Sequence, residues 1–424
     1  MTTGSKPVTK SHTPLILSPA GSYESLQAAI QGGADAVYFG VGKLNMRSRS
    51  SKKFSFEDLH EIAGICKMHG IQSYLTLNTI IYDEELDEMQ QTVDEARKAG
   101  ISAIIASDIS VLEYAKKQGL RVHISTQCNI TNLSAIRFYA HYADVMVLAR
   151  ELSLRQVHEI VRGIEREQIK GPSGELVKIE IFVHGALCMA VSGKCYLSLD
   201  NMNHSANRGA CLQLCRRSYL VTDKEEGYEL EVDHEYIMSP KDLCTIGFID
   251  KIIHAGVQVL KIEGRGRSAD YVKTATRCYK EAVQAVSDGS YSRDKVDGWM
   301  EQLSGVFNRG FWDGYYLGRT MGEWSERYGS QATRRKQYIG KVTNYFSKPG
   351  VAEITLETAG LSEGDELQIT GPTTGVVEFV ANRFRLDDKP VSRVEKGDVF
   401  SIRSPDDVRR GDKVFRLESI ADPF

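Results

Sequence analysis

Residues 86–108 read LDEMQQTVDEARKAGISAIIASD, and this stretch contains the repeating unit from which we predict the fold. Its first part has a helical pattern that ends at Gly100, and glycine commonly ends helices. A short apolar run, Ala103–Ala106, follows and is typical of a buried strand. The polar residue Asp108 comes just after that strand. A helix and a strand in alternation indicate an α/β fold with parallel strands.

The same alternation extends in both directions along the chain and predicts eight strands. The predicted strands are Leu15–Leu17, Ala36–Phe39, Ser73–Leu77, Ala103–Ala106, Arg121–Ile124, Val145–Leu148, Glu180–Val183 and Val259–Ile262. Eight strand–helix units in about 250 residues match a (β/α)8, TIM-like barrel. A doubly wound sheet is the alternative, but it more often has five or six strands.

Polar side chains follow most of the predicted strands. Asn78, Gln127, Arg150, His184 and Glu263 each come close after one of them. In a barrel these positions converge at the C-terminal mouth, where barrel enzymes place their chemistry. Any single residue of this kind could instead cap a helix, so the prediction of an active site depends on their joint occurrence.

Residues 184–258 form a long insertion between the seventh and eighth predicted strands. The insertion holds five of the eight cysteines of the chain, namely Cys188, Cys195, Cys211, Cys215 and Cys244. Clustered cysteines in a reducing compartment are more often metal ligands than disulfides. Zinc sites usually use tight cysteine pairs, and of these cysteines only Cys211 and Cys215 have that spacing. We therefore predict an iron–sulfur cluster, which thiolates from several loops can hold.

The chain divides into three predicted parts. Residues 1–13 are expected to be a disordered tail, residues 14–330 to form the barrel, and residues 338–424 to form a small all-β barrel with short strands and turns. Small β-barrels often bind RNA. The basic residues Arg334, Arg335 and Lys336 precede this domain and are predicted RNA contacts.

Composition limits the function classes. The chain has 424 residues, of which 42% are hydrophobic and 26% charged, and its net charge is −3. These values are typical of a globular protein, and they give no overall attraction to nucleic acid, so an RNA site would be a local basic patch. No signal peptide or membrane-spanning apolar run is evident, and we expect a cytoplasmic protein without a membrane partner.

The insertion and its surroundings resemble a known family. The pattern from Glu180 to Ser198, which includes Gly185-Ala186-Leu187-Cys188 and Cys195, is similar to the signature of the peptidase U32 family, also called collagenase-like proteases. The resemblance extends over nearly the whole chain. Further matching segments are Pro19–Gly21, Gly33–Tyr38, Leu148–Ser153, Ser239–Cys244 and Lys261–Arg265.

Members of similar length with a C-terminal β domain include tRNA hydroxylation proteins. The resemblance implies a [4Fe-4S] cluster, prephenate as co-substrate in place of oxygen, and formation of 5-hydroxyuridine at the wobble position of tRNA. It implies that Cys188, Cys195, Cys244 and Cys211 are the ligands, with Cys215 as the alternative to Cys211. A partner subunit or a homo-oligomer remains open at this point.

The predicted chemistry gives roles to further residues. A carboxylate-bearing co-substrate needs cationic and polar anchors, for which Arg47, Gln127, Arg150 and Arg265 are candidates. His184 and Glu263 are candidates for proton transfer. RNA phosphates are predicted to contact a separate set of arginines, namely Arg208, Arg216 and Arg217.

Two alternative functions remain open. A cysteine peptidase needs a thiolate next to a histidine, and His184 lies four residues before Cys188; the sequence has no His-Glu-x-x-His or Gly-x-Ser-x-Gly motif. An iron–sulfur hydroxylase acting on ribosomal RNA or on a small molecule is the other alternative. The prediction of a hydroxylase rests on the four companion cysteines, which a simple Cys–His pair does not require.

Overall fold

The structure is a computed structural model, and it describes residues 13–48, 54–202, 204–217, 219–227, 229–232, 239–318, 322–325 and 329–420. The predicted disordered tail lies outside the described residues except for Thr13.

Eight parallel strands form a closed barrel, as the sequence predicts. In chain order they are Leu15–Pro19, Ala36–Phe39, Gln72–Leu77, Ala103–Ala106, Val122–Ile124, Val145–Val147, Lys178–Ala186 and Val259–Ile262. Each pairs with the next, and the eighth strand pairs with both the seventh and the first, which closes the ring. The predicted strand positions are confirmed to within a few residues.

Helices surround this ring. They are Tyr23–Gln31, Phe56–Met68, Leu86–Ala99, Ile109–Lys117, Leu133–Tyr139, Leu154–Glu167, Ile249–His254, Ala269–Ser287 and Arg293–Ser304. Ser55 and Ser153 begin two of them with reciprocal capping boxes. Asp108 caps the helix that follows it by accepting from the backbone N–H of Ser110. No helix within the described ranges combines the length and apolar character that crossing a membrane requires.

The insertion between the seventh and eighth strands has its own local structure. It contains the helix Leu197–Met202 and a hairpin formed by Tyr219–Thr222 and Glu229–Val232. It then returns to the barrel as the short strand Asp242–Cys244, which runs antiparallel to the seventh strand. This last strand therefore belongs to the barrel wall rather than to a loop.

The C-terminal domain is all-β, as predicted, but it begins at Arg334 rather than Tyr338. Its eight-stranded antiparallel sheet has the spatial order Gly375–Val380, Glu366–Gly371, Lys413–Ser419, Arg334–Phe346, Val351–Leu356, Val399–Arg403, Phe384–Leu386 and Lys389–Val391. A second pair, Leu361–Ser362 and Arg393–Val394, lies beside it. Among the described residues no pairing joins the two outer strands of the sheet, so closure into a barrel is not observed.

The two domains are in direct contact. The Gln31 side chain donates to the Thr374 carbonyl at 2.9 Å and accepts from the Val376 N–H at 3.0 Å. Lys273 donates to the Val376 carbonyl at 2.7 Å. The helices Tyr23–Gln31 and Ala269–Ser287 thus bind the β-domain through hydrogen bonds between their side chains and its backbone.

Candidate functional site

A cavity of about 470 Å³ lies at the C-terminal mouth of the barrel, between the strand ends and the insertion. Residues after the strands line one side of it, among them Asn78, Gln127, Arg150 and Glu263. The insertion lines the other side. The predicted convergence of polar residues at the mouth is therefore observed for these four.

Four cysteines of the insertion line this one cavity, namely Cys188, Cys195, Cys211 and Cys215. Cys188 is exposed and the other three are partly buried. Burial raises the pKa of Cys215 to about 11; the nearby Arg216 lowers it, while the three other thiols raise it further. Four thiolates gathered in this way would repel one another, and a bound cation would offset that repulsion.

The four thiols that line the cavity are the donor type that holds an iron–sulfur cluster. Among the described residues, no three His, Cys, Asp or Glu side chains are arranged to hold one metal ion. A zinc site needs all its ligands within about 2.3 Å of one atom. In a cluster each cysteine thiolate binds one of several iron atoms, so the cysteine sulfurs lie farther from one another than in a zinc site. Four thiols around one cavity are consistent with the wider spacing of a cluster.

Cys244 lies apart from the other four. It is buried in the core, where its sulfur is 3.7 Å from the Met300 sulfur and 3.9 Å from the Tyr279 hydroxyl, and it does not line the cavity. The cause is the antiparallel pairing of its strand, which puts Cys244 opposite His184 in the barrel wall. The structure therefore groups Cys215, and not Cys244, with Cys188, Cys195 and Cys211.

The insertion is fixed to the barrel by Arg208, which the sequence predicts as an RNA contact. Its guanidinium donates to the Glu85 carboxylate at 2.7 Å and lies 4.1 Å from the centre of the Tyr82 ring. Next to it, Gly209 has φ +76°, and a Cβ atom there would come within 2.2 Å of the Asn45 carbonyl oxygen. Arg208 is thus committed to an internal ion pair.

The remaining predicted RNA contacts are in different environments. Arg217 is exposed, whereas Arg216 lines the cavity and donates to Ser239 and to the Leu187 carbonyl. Arg334, Arg335 and Lys336 lie in the first strand of the β-domain and pair with carboxylates. Their partners are Glu366, Glu418 and Asp270, respectively. The basic run is therefore not a free linker.

The cavity is strongly cationic. Seven basic side chains line it against one carboxylate, Glu263. The basic residues are Arg47, Arg150, Arg216, Lys261, Arg265, Arg267 and Arg309. Such an excess of fixed positive charge favours anionic ligands.

Glu263 is held ionised by its neighbours. Burial alone would raise its pKa, but the Arg47 guanidinium, 2.8 Å away, together with Arg267 and Arg150, lowers it to about 2. A carboxylate with such a pKa does not donate a proton near neutral pH. Arg265 donates to Asn45 and Thr76, and burial lowers its pKa to about 10.

His184 lies behind the cavity wall rather than in it. It is 1% exposed, and the rings of Tyr279, Tyr271 and Phe311 are within 5.4–5.7 Å of its own. Burial, with a smaller effect of Arg267, lowers its pKa to about 3. No histidine is among the described residues that line the cavity. The geometry therefore does not support His184 as a proton-transfer group or as the partner of a Cys188 nucleophile.

Sequence reasoning missed several residues in or directly behind the cavity lining. Asp242, 1% exposed, accepts from Arg267 at 2.7 Å and from Arg309 at 3.3 Å, and both guanidinium groups lie over the Phe307 ring. Lys261 is the other omission. Asp242 and Lys261 both fall inside segments that carry the family resemblance. A charged residue within such a segment was the feature of the sequence that could have pointed to them.

Fold and cavity together define a barrel protein with a thiol-lined, cationic site at its mouth. The family described as peptidase family U32 matches residues 21–326. The chain therefore belongs to peptidase family U32.

Relatives in this family carry different names. The protein named collagenase from Porphyromonas gingivalis (strain ATCC BAA-308 / W83) is 56% identical over 95% of this chain and 97% of its own length. The tRNA hydroxylation protein P1 of Bacillus subtilis is 32% identical over 87% of this chain and 86% of its own length. Among solved structures, the U32 peptidase Mk0906 aligns with 62% of this chain and 97% of its own at a TM-score of 0.40 and 12% identity. By name, the more similar relative indicates a peptidase and the more distant one an RNA hydroxylase.

Proposed function

We propose that this chain is an iron–sulfur hydroxylase that forms 5-hydroxyuridine at the wobble position of tRNA, with prephenate as co-substrate in place of oxygen. The observation that supports this most is the joint lining of one cavity by four cysteines and seven basic side chains. Peptide hydrolysis alone would require neither the four cysteines nor the seven basic side chains.

The proposed ligands of a [4Fe-4S] cluster are Cys188, Cys195, Cys211 and Cys215. The cluster would supply the redox capacity that side chains lack. Cys215 replaces Cys244 in the set that the family resemblance implies, because Cys244 is enclosed by Met300 and Tyr279.

The residues of the chain itself bind and orient the reactants. Arginine binds carboxylates in a bidentate manner, and Arg150 has no carboxylate within ion-pair distance among the described residues. The wobble base belongs to a single-stranded loop, so turning it toward a barrel mouth costs little stacking energy. The exposed Arg217 is the proposed phosphate contact.

A nucleoside analysis tests this proposal. The chain is expressed in a bacterial strain whose tRNA lacks 5-hydroxyuridine, and digested tRNA and ribosomal RNA are examined by mass spectrometry. We expect the modified nucleoside in tRNA with the wild-type chain and its loss with Cys215→Ser. Hydroxylated nucleosides in ribosomal RNA alone would identify that RNA as the target. No RNA product, despite a full cluster, would favour a small-molecule substrate.

Peptide hydrolysis is the second candidate, and the name of the 56% identical relative favours it. It would require Cys188, the exposed cysteine, to act as a nucleophile without a histidine among the described cavity residues. Incubation of the purified protein with gelatin distinguishes the two candidates. Cleavage that is lost in Cys188→Ser, with no change in RNA, would support the peptidase.

A further inference from the structure

Lys261 is a buried cation at the floor of the cavity. It lies on the eighth barrel strand, is 4% exposed, and lines the cavity. Its ammonium donates to Glu180 Oε1 at 2.7 Å. A lysine ammonium has three N–H donors. Among the described residues, Glu180 is the one hydrogen-bond acceptor of this ammonium. Its other neighbours are aromatic, with the Tyr38 ring centre at 4.6 Å and the Phe182 ring centre at 5.4 Å.

Arg150 lies against the same Phe182 ring, with its guanidinium carbon 4.1 Å from the ring centre. Its Nε is buried and has no hydrogen-bond partner among the described residues. Two cations with unused donors thus lie on one ring and line one cavity. A buried donor without an acceptor is destabilising, so both side chains are placed to receive an acceptor from a ligand.

The charge around this floor is not balanced by the protein. Glu180 neutralises Lys261, and its second oxygen faces His123 Nδ1 at 3.7 Å. Arg150 and Arg265 remain without a carboxylate at ion-pair distance within the described chain, and both lie close enough to lower the pKa of Lys261. Burial is the larger cause of that lowering, which Glu180 opposes. An anion at the floor would neutralise charge on Arg150 and Arg265 and accept from the remaining N–H donors of Lys261.

We propose that Lys261 and Arg150 form the subsite for a carboxylate group of the small-molecule co-substrate. Lys261 is then a specificity-determining residue that Glu180 holds in place. The identity of the ligand rests on the proposed function. The subsite differs from one built on Arg47, whose guanidinium binds Glu263, or on Arg265, which donates to Asn45 and Thr76.

The test measures ligand binding to the anaerobically purified protein by titration calorimetry, with prephenate in one arm and inorganic phosphate in the other. Three variants are compared with the wild type. Lys261→Met removes the cation. Glu180→Gln/Lys261→Met removes both charges of the buried pair and so leaves no unpaired charge, which favours folding. Lys280→Met is the matched control, because Lys280 forms an ion pair with Asp35 at 2.6 Å outside the cavity.

We expect prephenate to bind the wild type and the Lys280→Met control with dissociation constants within about twofold of each other. A hydrogen bond to a charged group contributes about 1.5–3 kcal/mol, so both Lys261 variants should bind prephenate about 10- to 150-fold more weakly. Visible absorbance and the melting temperature establish that cluster and fold are retained.

Three outcomes overturn the subsite. They are wild-type affinity for prephenate in the folded double variant, phosphate binding that depends on Lys261 without prephenate binding, and no binding of either anion to the wild type. Failure of the proposed function is distinguishable from these. Prephenate binding that depends on Lys261, without hydroxyuridine in tRNA, would leave the subsite standing and refute the RNA substrate.

Discussion

At the scale of single residues, the cavity combines cations that are neutralised with cations that are not. The ion pair between Arg47 and Glu263 is the clearest neutralised case, since both side chains are largely withdrawn from water. Arg150, in contrast, has a buried Nε without a protein partner among the described residues. The Arg47–Glu263 pair stabilises the fold, whereas Arg150 is available to a ligand.

The depressed pKa of Glu263 predicts a loss of stability in acid. Its pKa falls from an ordinary value of 4.5 to about 2 in the folded protein. Between these values the unfolded chain binds more protons, so the stabilisation is complete above about pH 4.5 and is lost as the pH falls toward 2. Urea unfolding of Glu263→Gln should show a deficit of up to about 3 kcal/mol at pH 6 that shrinks markedly by pH 3. A deficit that is independent of pH would contradict this explanation.

The cysteines and Lys261 illustrate what the sequence could predict at this scale. The number of cysteines in one insertion was enough to predict a thiol-lined site. That Cys215 lines the cavity while Cys244 does not was not predictable, because it depends on an antiparallel pairing between Asp242–Cys244 and the seventh strand. Lys261 was missed because the neighbouring residues in the sequence do not show that its side chain meets Glu180 inside the barrel.

At the scale of elements, a largely buried ion pair helps to hold the insertion over the mouth of the barrel. Arg208 and Glu85 join it to the turn before the helix Leu86–Ala99, and both side chains are mostly buried. Removing one partner of a buried pair leaves the other charge unpaired, which costs about 3–5 kcal/mol when the site is fully buried.

Arg208→Ala should therefore loosen the insertion more than the barrel. We expect faster limited proteolysis within the insertion and a lower iron content, with a fall in unfolding free energy of about 2–4 kcal/mol, because the pair is not fully buried. Arg217→Ala, which removes an exposed arginine from the same insertion, is the control and should change neither. Equal effects of the two substitutions would show that the ion pair does not hold the insertion.

The elements themselves were largely predictable. Barrel strands such as Ala103–Ala106 are short and wholly buried, so their apolar runs stand out between polar segments. The start of the β-domain was misjudged because Arg334, Arg335 and Lys336 look like an exposed linker. Their partners Glu366, Glu418 and Asp270 are distant in sequence, and only the folded chain brings the opposite charges together.

At the scale of the whole molecule, the β-domain is bound to the barrel through the helices Tyr23–Gln31 and Ala269–Ser287. Gln31 contributes two hydrogen bonds to the backbone of the domain, and Lys273 contributes a third. These three hydrogen bonds join side chains of the barrel to the backbone of the β-domain. Their strength therefore depends on a few residues of the barrel.

Gln31→Ala should weaken the coupling between the domains. Losing its two hydrogen bonds costs about 1–3 kcal/mol, and we expect the calorimetric unfolding of the β-domain to separate from that of the barrel. Gln91→Ala, at an exposed position on a different barrel helix, is the control. A single unchanged transition in Gln31→Ala would mean that other contacts dominate the interface.

The central claim is that Cys188, Cys195, Cys211 and Cys215 bind one iron–sulfur cluster, and an iron and acid-labile sulfide determination tests it most directly. The protein is purified without oxygen as wild type, Cys215→Ser and Cys244→Ser. We expect about four iron atoms per chain in the wild type and in Cys244→Ser, and a loss of most iron in Cys215→Ser, because a [4Fe-4S] cluster is held by four thiolates. A wild-type protein without iron, or iron that depends on Cys244 and not on Cys215, would contradict the account.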